Sequence, residues 1–186
     1  MKTQALRAMP LAAAAALAIG VATDASAQTH FEIEAGGGFT VVDVETVASN
    51  DGAIAQDWSQ PSFRLAGRAL FASDSNRRFG AEAAYQHLYW YQVRIPYGST
   101  PITRDYSVSV MKVLGLFRYD MESGTVLELG AGLAFGDTAA PATSVAFGFP
   151  VTPAVSIKVR ADAVLYEQPT VPLGVGISYA FGSRGR

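Results

Sequence analysis

Hydrophobic side chains recur at every second position through most of this chain. In residues 154–166, AVSIKVRADAVLY, one phase holds Val155, Ile157, Val159, Ala161, Ala163 and Leu165, and the other Ser156, Lys158, Arg160 and Asp162. A period of two makes a strand with two chemically opposite faces. Seven further segments carry the same pattern: 31 to about 44, 61–73, 79–95, 104–119, 125–136, 143–151 and 173–181. Polar or Pro/Gly-rich stretches separate them, including Asn50-Asp51-Gly52, Asp74-Ser75-Asn76, Pro96-Tyr97-Gly98 and Thr152-Pro153. The triple glycine Gly36–Gly38 allows the bend that a closed sheet needs.

The fourth segment interrupts the rule. Read without a break, the phase of Tyr106, Val108 and Val110 also carries Lys112, whereas Val113, Gly115, Phe117 and Tyr119 lie on the opposite phase. A bulge near Val110-Met111 reconciles the two halves and sends Lys112 and Arg118 to the polar side. Eight strands with polar turns and no helical period predict an all-β fold, an eight-stranded antiparallel up-and-down barrel. The connections after the second, fourth and sixth strands are short, and those after the first and third are longer.

Which face meets water decides between two kinds of barrel. On the apolar phase, the short-turn ends carry Phe31, Phe71, Phe79, Phe117 or Tyr119, Phe149, Tyr179 and Phe181. The long-loop ends carry Phe39, Phe63, Tyr89, Tyr91, Tyr106 and Phe135, with mostly Ala, Val, Leu, Ile and Gly between. Two aromatic girdles flanking an aliphatic band fit a lipid-facing surface. The polar phase carries Glu32, Glu34, Arg64, Arg68, Glu82, Arg94, Glu128, Lys158, Arg160 and Asp162. An eight-stranded barrel is just filled by side chains, so these charges must be paired inside it. With Phe31, Phe71 and Phe79 level, Glu34 falls beside Arg68 and Arg68 beside Glu82, and Lys158 and Arg160 lean toward Glu32 and Glu34. The opposite orientation describes a soluble lipocalin-like carrier.

The N-terminus and composition favour the membrane. Lys2 and Arg7 precede an apolar run over 8–21 and the small-residue site Ala25-Ser26-Ala27, a secretory signal peptide over 1–27 that leaves a barrel domain over 28–186. Without Lys2, Arg7 and Asp24, the 14 basic and 16 acidic residues leave a net charge of about −3, with no basic patch for nucleic acid. Charged residues are 16% of the chain, against about 25% in an average soluble domain. Cysteine is absent, so an exported chain must be stable without disulfides.

Candidate chemistry is sparse. The two histidines, His30 and His87, together with the lack of cysteine, predict no metal site and no cofactor. A bilayer-facing acyl hydrolase needs a nucleophile bonded to a base. With Ser107 and Ser109 read as inward, none forms beside His87, which reads as a girdle member. Leu88 and Trp90, on the inward phase, are candidates to line or narrow a passage.

With a leader, repeated dyad strands and a last strand written GVGISYAF, the chain over about 31–181 resembles the small outer-membrane β-barrel family that includes the OmpA membrane domain, OmpX and OmpW. The resemblance implies the outer membrane of a Gram-negative-type bacterium, contact with its lipid and lipopolysaccharide, and recognition of Tyr179 and Phe181 by the barrel-assembly machinery. The expected function is a monomeric, non-enzymatic structural or surface-interaction barrel without a wide pore. The alternatives are a narrow conduit for small hydrophobic molecules, as in OmpW, and a lipid A-modifying enzyme.

Overall fold

A computed structural model of the chain describes residues 29–41, 59–72, 74–95, 102–166 and 169–181. The leader, residues 42–58 and 96–101, and the tail after Phe181 lie outside the described residues. Eight strands follow one another: β1 (Thr29–Val41), β2 (Ser59–Ala72), β3 (Arg77–Ile95), β4 (Ile102–Asp120), β5 (Val126–Phe135), β6 (Ala139–Pro150), β7 (Val155–Val164) and β8 (Val171–Phe181). Each pairs antiparallel with its neighbour in sequence, and β8 pairs with β1, so the sheet closes into a barrel with no free edge.

The short turns lie at one end. Asp74 accepts from the backbone N–H groups of Asn76 and Arg77 at 2.9 and 2.7 Å, which closes the turn into β3. After β4 the chain reverses at Gly124, whose φ of 81° is open to glycine at no steric cost. Thr152 accepts from Ala154 and Val155 and closes the turn into β7.

The alternation reads directly as inside and outside. Ile157 and Val159 are 41% and 48% exposed, while Lys158 and Arg160 between and beside them are 1% and 6% exposed. The charges are enclosed and the aliphatic side chains point out.

Three features differ from the sequence reading. β6 starts at Ala139, so Pro141 lies in the strand opposite Leu133 and not in a loop; its carbonyl accepts from Leu165 N–H at 2.9 Å. The register of β1 on β2 is offset by two residues, with Glu32 and not Glu34 opposite Arg68, and Phe31 opposite Ala69. A shift of two preserves the faces, and the stagger of strands in a closed barrel frees the girdle residues from lying level in the ladder. The bulge lies in β3, not β4: His87 pairs with Ser109 and Tyr89 with Val108, leaving Leu88 as the extra residue.

β4 therefore alternates without interruption. Val110, Lys112, Leu114, Leu116 and Arg118 are buried inside, and Ser109, Met111, Val113, Gly115 and Phe117 take the outward phase. On this side of the barrel the interior itself is apolar. A cluster of Leu70, Leu88, Tyr89, Val110, Leu114, Leu116, Ala134, Ala140, Ala142 and Val164, with Val108 and Tyr166 against it, runs down the β3–β6 side.

Candidate functional site: the charged lumen and the outward rims

Five acidic residues, Glu32, Glu34, Glu82, Glu128 and Asp162, and six basic ones, Arg64, Arg68, Lys112, Arg118, Lys158 and Arg160, are buried in the lumen. They form one connected network. Arg68 bridges strands by donating to Glu34 and, through Nε at 2.6 Å, to Glu82. Arg64 donates to Glu34 at 2.8 Å and to Glu82. Lys158 joins Glu32 at 2.8 Å and Glu128 at 2.5 Å, and Arg118 ties Glu32 to Asp120. Arg160 reaches Glu34 at 3.2 Å, Glu128 at 3.3 Å and the Ser144 hydroxyl at 2.5 Å. His30 Nε2 lies 3.3 Å from Glu32. A buried charge is tolerable only when paired and hydrogen-bonded, and here nearly every carboxylate meets two or more cations.

Alternation brings most of the predicted charges together, with Lys112 and Arg118 as further members. Arg94 lies in β3 opposite Thr103, and its side chain is outside the described residues. Ser144 and His30 were not read from sequence as members of this network, since a serine or histidine on a polar phase looks the same whether or not an arginine or glutamate finds it.

The lumen leaves little free space. A cavity of about 20 Å³ adjoins Glu34, Arg64, Gln86, Arg160 and Asp162, room for a single water. A concavity of about 420 Å³ lies on the outer wall instead, between Phe39, Val145, Phe147, Val159, Leu173 and Val175.

On the outer wall, Phe31, Phe79, Phe149, Tyr179 and Phe181 are exposed near the short turns and Phe71 is half-buried. Phe79 packs on Phe117 at 5.3 Å between ring centres, and Tyr179 meets Phe181 edge-on at 4.8 Å. At the other end Phe39, Phe63 and Phe135 are exposed. Tyr89 corrects the predicted upper girdle: it is buried inside the apolar cluster. Trp90, predicted inward, is 42% exposed on the outside. Both changes follow from the Leu88 bulge, which reverses the phase of Tyr89 and Trp90. Tyr91 and Tyr106 pair across β3 and β4, and their side chains lie outside the described residues.

The bulge also corrects the surroundings of His87. Ser109 faces outward, its Oγ 3.2 Å from His87 Nδ1 and accepting from the Tyr85 hydroxyl at 3.0 Å. Among the described residues, His87 Nε2 is buried without a hydrogen-bond partner. Groups of three or more metal-ligating side chains are absent among the described residues.

No family model and no curated protein matches the chain. Among solved structures, Ail, the attachment invasion locus protein of Yersinia pestis, is 13% identical, with 83% of this chain and 99% of that one covered at a TM-score of 0.50. Neisserial surface protein A is 15% identical over 82% of this chain and 97% of that one, TM-score 0.47. A de novo designed transmembrane β-barrel is 14% identical, 84% and 98% covered, TM-score 0.46. The likeness to Ail shows the fold, a small closed outer-membrane-type barrel.

Proposed function

We propose that this chain is an integral outer-membrane β-barrel, exported by a cleaved leader over 1–27, that serves a non-enzymatic structural or surface-interaction role as a monomer. The observation that carries the reading is the reversal of polarity: Lys158 and Arg160 are enclosed while Ile157 and Val159 point out. A water-soluble barrel would gain nothing from an aliphatic skin around an ionic interior, whereas a bilayer selects that arrangement. The ion-paired and apolar fillings of the lumen support a barrel without a wide pore. The name of Ail supports surface attachment as a role that such a barrel can serve. Tyr179 and Phe181, outward at the end of β8, suit recognition by the barrel-assembly machinery.

The narrow-conduit alternative keeps Leu88 inside but loses Trp90 as a lining residue. Expression in a Gram-negative host tests the main reading. The protein should sediment with outer membranes, migrate differently on gels before and after boiling, and give no stable large conductance in planar bilayers. Release into the soluble fraction by lysis without detergent would overturn it.

A further inference from the structure

Resting on the reading that the outer wall faces lipid, we infer that Tyr85, His87, Trp90, Ser107 and Ser109 form a seat for a neutral sugar in the headgroup of an outer-leaflet glycolipid. The outward phase elsewhere on the described wall is largely aliphatic and aromatic. Here a phenol, two hydroxyls and an imidazole come together on β3 and β4. Polar groups facing hydrocarbon are costly unless bonded, and these bond one another through Tyr85 to Ser109 and Ser109 to His87.

Height in the wall places the group at an interface. His87 is eight residues along β3 from Phe79 of the short-turn rim, which at roughly 3.3 Å per residue and a tilt of about 40° is about 20 Å of height in an apolar band of about 25 Å. Trp90, two ladder steps further on, lies at the edge of that band, where headgroups begin. The bulge is what assembles the surface: by inserting Leu88, it turns both His87 and Trp90 outward three residues apart, so that their rings meet at 3.6 Å. Phe63 stacks on His87 at 5.0 Å. Tyr85 and Trp90 keep 36% and 42% of their surface free beside the serine hydroxyls. An exposed aromatic face next to hydroxyls suits a sugar ring, which has a face of C–H groups and a rim of donors and acceptors.

No Lys or Arg among the residues with described side chains takes the outward phase beside these five, which favours a neutral sugar over a phosphate. The Nε2 of His87, buried between the rings of Phe63 and Trp90, has no partner among the described residues, and a sugar hydroxyl reaches it once Trp90 turns aside.

The chain has two tryptophans, so a Trp58→Phe background makes Trp90 the sole reporter. This protein is reconstituted into phosphatidylethanolamine/phosphatidylglycerol vesicles, and its emission is followed as lipopolysaccharide, or the same lipid stripped of phosphate, is added. Both lipids should shift Trp90 emission saturably, and Tyr85→Phe with Ser109→Ala should weaken the response roughly three- to tenfold, the loss of one or two neutral hydrogen bonds. No shift, a shift that needs the phosphates, a shift that tracks self-association of the barrel, or a double variant that responds like its parent would overturn the seat. Insertion is read separately by heat-modifiable migration. A chain that never enters vesicles sinks the membrane reading, and one that inserts yet gives no shift sinks the sugar seat alone.

Discussion

The ammonium of Lys112 donates to the carboxylate of Asp162 across the lumen, Nζ to Oδ2 at 2.6 Å, linking β4 to β7 with both side chains sealed from solvent. Asp162 has two other cations at longer range, Arg64 Nε at 3.6 Å and Arg160 Nη1 at 3.9 Å. Within the lumen the bases outnumber the acids, six to five.

That imbalance makes the two halves of the pair unequal. Lys112→Met leaves five bases for five acids and lets Arg64 or Arg160 close on Asp162, whereas Asp162→Asn strands a buried ammonium. We expect a loss of about 3–5 kcal/mol for Asp162→Asn and about 1–2 kcal/mol for Lys112→Met. Urea unfolding of the vesicle-inserted protein measures both. Equal losses, or the reverse order, would refute the charge count.

Glycines on the wall divide into those that permit close approach and those that do not. A methyl group at Gly38 would fall on the Leu173 carbonyl oxygen and crowd Gly174, while one at Gly67 would meet nothing within 4 Å. Gly38→Ala should cost about 1–3 kcal/mol and Gly67→Ala less than about 0.5 kcal/mol, by the same unfolding measurement.

Because Leu88 is the extra residue of the bulge, deleting it leaves the ladder from His87–Ser109 to Tyr89–Val108 in register. The deletion should still yield a heat-modifiable barrel, weakened by about 2–5 kcal/mol through loss of a fully buried leucine. Deleting Leu114 from the unbroken β4 turns either Lys112 or Arg118 onto the outer face and should abolish the heat-modifiable form.

At the long-loop end, burial and the nearby Asp137 carboxylate raise the Tyr166 phenol above the ordinary tyrosine value of 10.0. The folded state thus favours the neutral phenol. Its contribution to stability is fully present below the ordinary value and is lost as the pH climbs through the raised one. Thermal unfolding should fall off more steeply at alkaline pH in the parent than in Tyr166→Phe; identical profiles would show that the phenol plays no part.

The sequence by itself determined the strands, the turns and the opposition of faces in residues 154–166, because a period of two is a local property and its charges can go to only one side. It also determined that Lys112 must turn inward, since a lysine in hydrocarbon has no partner. Only closure of the barrel decided the two-residue offset between Glu32 and Arg68, and which acid each base meets. The bulge was likewise settled in three dimensions. An extra residue on either strand of a pair shifts the phase equally, and beside β3 and β4 both faces are apolar, so hydrophobicity could not say whether Val110 or Ser109 lay inside. The strand that carried Leu88 fixed that, and with it the placing of Tyr89 in the core and Trp90 at the rim.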